Sequence, residues 1–186
     1  VLDGQWSAPK HGGPNLNDKC YNAAAGFSPD GSQIFLMNHY HKNEQATTQG
    51  ISWSRKIGSD WSFPENIAIP YFLNRSSLLS GQLLEDKGIF VHAAESYDTK
   101  GAEDIYVSRR DNSGKWNEPR NLGPVINTTL QEFSPSLSAD QKFLYFSSNG
   151  RRGYGSFDVY FSERLDDSWQ NWSVPANMGS RVNSDG

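Results

Sequence analysis

The chain predicts an all-β fold made of four-stranded units in series, and two observations carry that prediction. The pattern Trp-x-x-Pro occurs four times, at Trp6–Pro9, Trp61–Pro64, Trp116–Pro119 and Trp172–Pro175, so the tryptophans step by 55, 55 and 56 residues. Between them two β-rich segments recur. Ile34-Phe35-Leu36, Ile89-Phe90-Val91 and Leu144-Tyr145-Phe146 step by 55, and Ile51-Ser52-Trp53-Ser54, Ile105-Tyr106-Val107-Ser108 and Val159-Tyr160-Phe161-Ser162 step by 54. A fixed period of this size marks a repeat architecture. An asparagine keeps the same phase, eight residues after the proline at Asn17, Asn127 and Asn183 and ten after it at Asn74.

Each period reads as four short strands. The first runs through Ala25-Gly26-Phe27 or Ser134-Pro135-Ser136-Leu137 and ends in a turn, Ser28-Pro29-Asp30-Gly31 or Ser138-Ala139-Asp140-Gln141. Proline presets φ, Asp bonds its own backbone and Gly tolerates positive φ, which together make a turn. The first β-rich segment is the second strand. A polar loop such as Asn149-Gly150-Arg151-Arg152-Gly153-Tyr154-Gly155 leads to the second segment, which alternates as a half-buried third strand does. After a turn such as Asn112-Ser113-Gly114, the fourth strand carries Trp-x-x-Pro, and a proline suits an edge, where no ladder N–H is needed. No window shows a helical stripe. Serial four-stranded sheets of this size predict β-propeller blades. The rival, a β-sandwich, does not explain why the pattern repeats.

Three stretches carry a family resemblance: Leu144-Tyr145-Phe146-Ser147-Ser148-Asn149-Gly150, Gly153-Tyr154-Gly155-Ser156-Phe157-Asp158-Val159-Tyr160 and Asn121-Leu122-Gly123-Pro124-Val125-Ile126-Asn127-Thr128. Together they resemble TolB-like, WD-repeat-like propeller repeats of the kind found in Bacteroidetes envelope proteins, where such propellers accompany OmpA-like peptidoglycan-binding domains or belong to the type IX secretion machinery. The third unit matches well. The first two depart from the pattern: Gly50 stands where Asp104 and Asp158 stand, and Leu84-Glu85-Asp86-Lys87 replaces the Ser-Pro-Asp-Gly turn. The resemblance implies a periplasmic or outer-membrane-associated location and an envelope protein complex or peptidoglycan as partner.

The expected organisation is an outer strand at 1–17 belonging to a preceding blade, then blades at 18–74, 75–127 and 128–186. Three blades are fewer than the four to eight that close a ring. The chain is therefore expected to be part of a larger ring, with self-association of open blade edges, two copies forming six blades, as the alternative.

Composition bounds the function classes. Lys and Arg number 17 against 21 Asp and Glu, a net charge of −4. That argues against nucleic acid, which selects a basic face. No apolar run is long enough for a membrane span. Hydrophobic residues make up 35%, and the 13% aromatic content supplies the packing area that short strands need. The single Cys20 excludes an internal disulfide.

The candidate residues fall into four groups. Asp104 and Asp158 precede the third strand, where a short carboxylate fixes a loop by accepting backbone N–H bonds. A ligand role is the second reading. Arg151, Arg152 and Tyr154 lie in a glycine-rich loop, and Arg and Tyr are favoured at binding hot spots. His39 and His41 share one face if the strand reaches that far, and with Glu44 they are weak metal candidates. Glu95, Asp98, Glu103 and Glu132 offer carboxylates for glycoside hydrolysis, which needs a pair at a defined separation. The repeated Trp is expected to pack between neighbouring blades. No Gly-x-Ser-x-Gly elbow is present. The sequence therefore predicts a binding or scaffold module without catalytic residues or cofactor. The alternatives are a carbohydrate-active propeller, a propeller accompanying a peptidase domain, or an array that spaces flanking domains.

Overall fold

The computed structural model describes residues 6, 8–19 and 21–185. It is all-β: three consecutive antiparallel sheets, none closed on itself, with one short 3-10 turn at Glu85–Lys87. The first sheet is built from β1 (Ala24–Phe27), β2 (Gln33–His39), β3 (Thr47–Ile57), β4 (Asp60–Trp61) and β5 (Glu65–Ile67). The second holds β6 (Ser80–Leu84), β7 (Ile89–Ala94), β8 (Asp104–Arg109) and β9 (Arg120–Asn121). The third holds β10 (Glu132–Leu137), β11 (Phe143–Ser148), β12 (Asp158–Glu163) and β13 (Ala176–Asn177). Every sheet is a meander, and the first carries an extra strand because β4 and β5 both pair with β3.

That extra strand shows what Trp-x-x-Pro does. The motif lies across a break rather than inside one continuous outer strand. Trp61, Trp116 and Trp172 pair with Lys56, Arg110 and Arg164, and the outer strand resumes only after the proline. Proline has no N–H to give the ladder, so the outer strand divides there. The strand expected within 1–17 does not form among the described residues of that stretch. Trp6 is 89% exposed, and the nearby chain makes a turn at residues 14–16 that places Leu16 in the core and donates Asn15 Nδ2 to Trp61 O at 2.6 Å.

The turns follow from sequence. Asp30 Oδ1 accepts Ser28 Oγ at 2.6 Å and Ser32 N at 3.0 Å, and Asp140 Oδ1 accepts Ser138 Oγ at 2.5 Å and Lys142 N at 3.1 Å. Gly31, Gly88 and Gln141 supply the left-handed residue, at φ 68°, 61° and 61°. The 3-10 turn ending at Gly88 therefore does in the second sheet what the Ser-Pro-Asp-Gly turn does in the first.

Strand register corrects the repeat phase. Phe35 pairs with Trp53, Val91 with Val107 and Tyr145 with Phe161. With the third strands aligned, the second strands therefore step by 56 and then 54, not 55. A slip of one residue flips every side chain to the other face. In the corrected phase Ile34 and Leu36 correspond to Phe90 and His92 and to Leu144 and Phe146, all facing the preceding element. Phe35 and Val91 face the following unit, and Tyr145 holds the equivalent position in the third sheet.

The cores lie between sheets. Phe35, Met37 and Ile51 of the first sheet meet Leu79, Leu83, Phe90 and Trp116 of the second unit. Ile89, Val91, Ile105, Val107, Leu122 and Ile126 of the second unit meet Leu144, Phe146, Trp169 and Trp172 of the third. Trp116 and Trp172 thus close the core toward the preceding sheet. The first strands β1, β6 and β10 lie side by side, and Gln82 Oε1 of β6 accepts Leu137 N of β10 at 2.8 Å.

Candidate binding site

Meander topology sorts the connections to two ends. The loops from second to third strand and from each sheet to the next share one end, and the tight turns occupy the other. Hydrogen bonds tie the loop end together: Arg75 N to Glu95 O at 2.9 Å, Gln49 Nε2 to Asn74 O at 2.6 Å and Gln131 N to Asn149 Oδ1 at 2.9 Å. The exposed tyrosines collect here. Tyr21 lies in the segment leading into β1, Tyr71 in the connection between the first two sheets, and Tyr97 and Tyr154 in second-to-third loops, while Tyr106, Tyr145 and Tyr160 are in strands. Arg75 braces one of them, its guanidinium 5.7 Å from the Tyr97 ring centroid and its Nη1 donating to Ser96 O at 3.1 Å. The sequence reading found Tyr154 and missed the other three. The signal available was an exposed aromatic recurring in loops at this phase.

A groove enters at the same end. One hollow of about 560 Å³ is bounded by Tyr21, Met37, Asn38, Thr48 and Leu78, and a second of about 380 Å³ runs between β1, β6 and β10. The two share Ala23, Met37 and Leu79. No Asp or Glu lines either one. Asn38 is buried at φ 83°, donates Nδ2 to Tyr21 O at 2.8 Å, and has no hydrogen-bond partner for Oδ1.

The two repeated aspartates anchor matching networks. Asp104 Oδ2 accepts Asn121 Nδ2 at 2.7 Å and Lys100 N at 3.2 Å. Asp158 Oδ2 accepts Asn177 Nδ2 at 2.8 Å and Tyr154 N at 2.5 Å, and its Oδ1 accepts Gly155 N at 3.2 Å. Each network continues into the repeated asparagine. Asn127 accepts Ile105 N at 2.7 Å and donates to Ile105 O and Asn121 Oδ1, as Asn183 does with Val159 and Asn177. The two carboxyls are tuned in opposite directions. Burial raises Asp104 above the usual carboxylate range, outweighing its hydrogen bonds from Asn121 and Lys100, and the charge of Glu132 adds to the rise. Burial also pushes Asp158 upward, but the bonds from Tyr154 N–H, Asn177 and Gly155 N–H prevail and hold it below that range.

The first sheet solves the same problem differently. A Cβ on Gly50, at φ 142°, would lie 2.5 Å from His39 Nε2. The His39 ring fills the space of the missing carboxylate, and Nε2 lies 3.1 Å from Ile67 O. Burial lowers the pKa of His39. Gly50→Asp is expected to destabilise the chain by about 1–3 kcal/mol through clash and backbone strain, with partial recovery in the Gly50→Asp, His39→Ala double variant, read by urea unfolding. β2 ends at His39, so His41 lies exposed in the loop rather than on the same strand face. Among the described residues no three His, Cys, Asp or Glu side chains converge to hold a metal ion.

Arg151 turns into the protein. Its Nη2 donates to Val125 O and Ile126 O, each at 2.7 Å, and its guanidinium lies 5.8 Å from the Phe146 ring and 6.0 Å from that of Tyr160. It clamps the third unit to the connection that precedes it, and burial lowers its pKa. Arg152 and Tyr154 are exposed in the loop. Of the four acidic candidates, Glu132, Glu103 and Asp98 accept side-chain hydrogen bonds, and Glu95 is half-buried just after β7. Glu132 is fully buried and accepts Thr128 N at 2.7 Å, Thr128 Oγ1 at 2.9 Å and Ser148 Oγ at 2.7 Å. Glu103 accepts Ser76 Oγ at 2.5 Å and also Gln131 Nε2. Asp98 accepts the Tyr106 hydroxyl at 2.8 Å.

Comparison of the chain with known protein families, with characterised proteins and with solved structures returns no match.

Proposed function

We propose that the three sheets are blades of a TolB-like β-propeller and that the chain is a non-catalytic binding module whose loop end contacts a partner in the bacterial cell envelope. One observation carries the reading. The groove that opens beside Tyr21 is lined by small, apolar and amide side chains and Lys19, without a carboxylate, while Glu103, Glu132, Asp104 and Asp158 are bound up in structural hydrogen bonds. Glycoside hydrolysis needs two carboxylates facing a cleft. Tyrosine presents large contact area at small entropic cost, and a braced loop end is already shaped for a partner. Rigid sheets that display variable loops are the usual way such a scaffold binds.

The partner class follows from the family resemblance: a protein of an envelope complex, or peptidoglycan. Co-sedimentation with purified sacculi and with detergent-solubilised envelope fractions tests the reading. Saturable binding is expected to one of them, weakened at least tenfold in Tyr97→Ala and Tyr154→Ala, since a hot-spot truncation costs about 1–2 kcal/mol or more. Leu165→Ala, in the turn at the opposite end, is expected to bind as the parent does. Turnover of aryl glycosides, or binding indifferent to both tyrosines, would replace this reading with the enzymatic one or with a plain spacer.

A further inference from the structure

The charged side chains behave differently at the two ends of the sheets. Among the described residues the three ion pairs all lie at the tight-turn end: Arg110 with Glu85, Lys87 with Asp86 and Arg164 with Asp167. At the loop end four exposed cations, Lys19, Arg75, Lys100 and Arg152, form no such pair. The carboxylates of that end are largely withdrawn from the surface. Glu103, Asp104, Glu132 and Asp158 are buried, and Asp18 accepts Ala46 N at 2.9 Å. Asp98 is exposed and gives one oxygen to the Tyr106 hydroxyl at 2.8 Å. Two further exposed cations are offset by exposed carboxylates near them in sequence, Lys42 by Glu44 and Arg181 by Asp185. Each of the four unpaired cations stands beside an exposed tyrosine. Lys19 is two residues from Tyr21, Arg75 four from Tyr71, Lys100 three from Tyr97 and Arg152 two from Tyr154. The other tyrosines, Tyr40, Tyr106, Tyr145 and Tyr160, are buried or partly buried.

Resting on the reading that the loop end binds a partner, we propose that the partner presents an acidic polypeptide segment to it. Lysine and arginine donate hydrogen bonds and accept none, and a tyrosine hydroxyl beside them adds another donor. The outward surface of this end is therefore rich in donors and poor in acceptors, and it suits a partner of the reverse kind. Asp and Glu side chains need only donors. Sugar hydroxyls need acceptors as well, and the carboxylates that would serve them are turned inward. Tyrosine and arginine are also the residues that anchor protein interfaces. Exposed cations around such anchors act mainly on the rate of encounter and on its salt dependence, and the neighbouring tyrosines supply the contact area. The ion pairs of the opposite end neutralise that surface, so an acidic partner approaches the loop end.

Two labelled polymers titrated with the full chain test the proposal by fluorescence anisotropy: poly-L-glutamate, and polygalacturonate, which carries its carboxylates on a glycan. Saturable binding of poly-L-glutamate is expected, tighter than that of polygalacturonate and weakened by added salt, which screens exposed charges. The variant carrying Lys19→Glu, Lys100→Glu and Arg152→Glu is expected to lose at least about tenfold in affinity with an unchanged circular dichroism spectrum, since each exposed charge contributes about threefold. A control carrying Lys56→Glu, Lys115→Glu and Lys142→Glu changes the net charge equally at the turn end, and is expected to lose less than about twofold by the same reasoning. If the first variant misfolds, Lys100→Glu and Arg152→Glu singly decide, each expected to weaken binding about threefold. Absence of poly-L-glutamate binding overturns the proposal, as does an equal loss in the turn-end control. Tighter binding of polygalacturonate also overturns it and assigns the surface to an anionic glycan. Co-sedimentation with envelope fractions separates this proposal from the reading beneath it. Binding that needs Tyr97 and Tyr154 but persists in the loop-end charge variant overturns the acidic partner and leaves the binding surface standing. Binding indifferent to tyrosines and charges alike overturns both.

Discussion

Asn127→Ala is expected to cost about 3 kcal/mol of unfolding free energy, and Asn17→Ala less than about 1 kcal/mol, although the two asparagines hold the same phase in the repeat. Asn127 is 1% exposed and spans two strands, accepting Ile105 N at 2.7 Å and donating to Ile105 O at 3.0 Å and Asn121 Oδ1 at 2.8 Å. Ile105 is fully buried, so without Asn127 its N–H loses its acceptor where water does not reach. An orphaned buried donor costs about 1–3 kcal/mol, and the small void adds to it. Among the described residues the Asn17 side chain donates to Gly13 O, at 3.0 Å, within its own turn. Urea midpoints at unchanged slope check both values. Equal losses would mean that the asparagine acts through the turn and not through the strand.

Acid is expected to unfold the chain through His92, and His92→Phe to remove that sensitivity. The ring is 1% exposed and stacks on Phe90, Phe72 and Tyr106, with centroids at 4.6, 4.9 and 5.9 Å. Burial pushes its pKa down from 6.5 to about 3, against the weaker pull of the Phe90 carbonyl. The folded-state value is depressed, so the unfolded chain takes up the proton first. Stability is therefore full above pH 6.5 and falls by about 1.4 kcal/mol per pH unit between roughly 6.5 and 3, a loss on the order of 5 kcal/mol. Phe146 occupies the equivalent place in the third sheet, so phenylalanine suits this environment. Thermal unfolding of both proteins at pH 7 and pH 4 measures the difference, and parallel declines would remove His92 as the cause.

Much of the fold was legible because one large side chain per unit is indispensable. The tryptophans show the period, since Trp116 and Trp172 each fill a core between sheets, and the turn residues show where strands stop. The exact phase was hidden by compensating insertions. From second to third strand, Phe35 and Trp53 are two residues further apart than Val91 and Val107, and the last turn lengthens from Arg110–Trp116 to Arg164–Trp172. These changes offset one another in the distance between tryptophans, so a uniform step of 55 places the second strand of the middle unit one residue out.

The site was read unevenly for a similar reason. The aspartate and asparagine phases could be seen in the sequence, yet their mutual hydrogen bonds join residues 17 to 24 apart and carry no local signal. Arg151 looked partner-facing because it sits among glycines. Its acceptors are carbonyls 25 and 26 residues earlier, and backbone carbonyls are present whatever the sequence. The replacement of the Asp by Gly50 becomes intelligible only beside His39, eleven positions away on the neighbouring strand.

The proline that divides each outer strand has a consequence for solubility. The ladders of β9 and β13 are two residues long, and that of β5 is three. An unpaired edge is a template on which foreign strands grow into fibrils, and short edges interrupted by proline deny them the consecutive N–H and C=O groups they need. The outer rim of all three units is thus closed to templated polymerisation at its weakest line, and a chain rich in β-structure is kept from recruiting strangers along that rim.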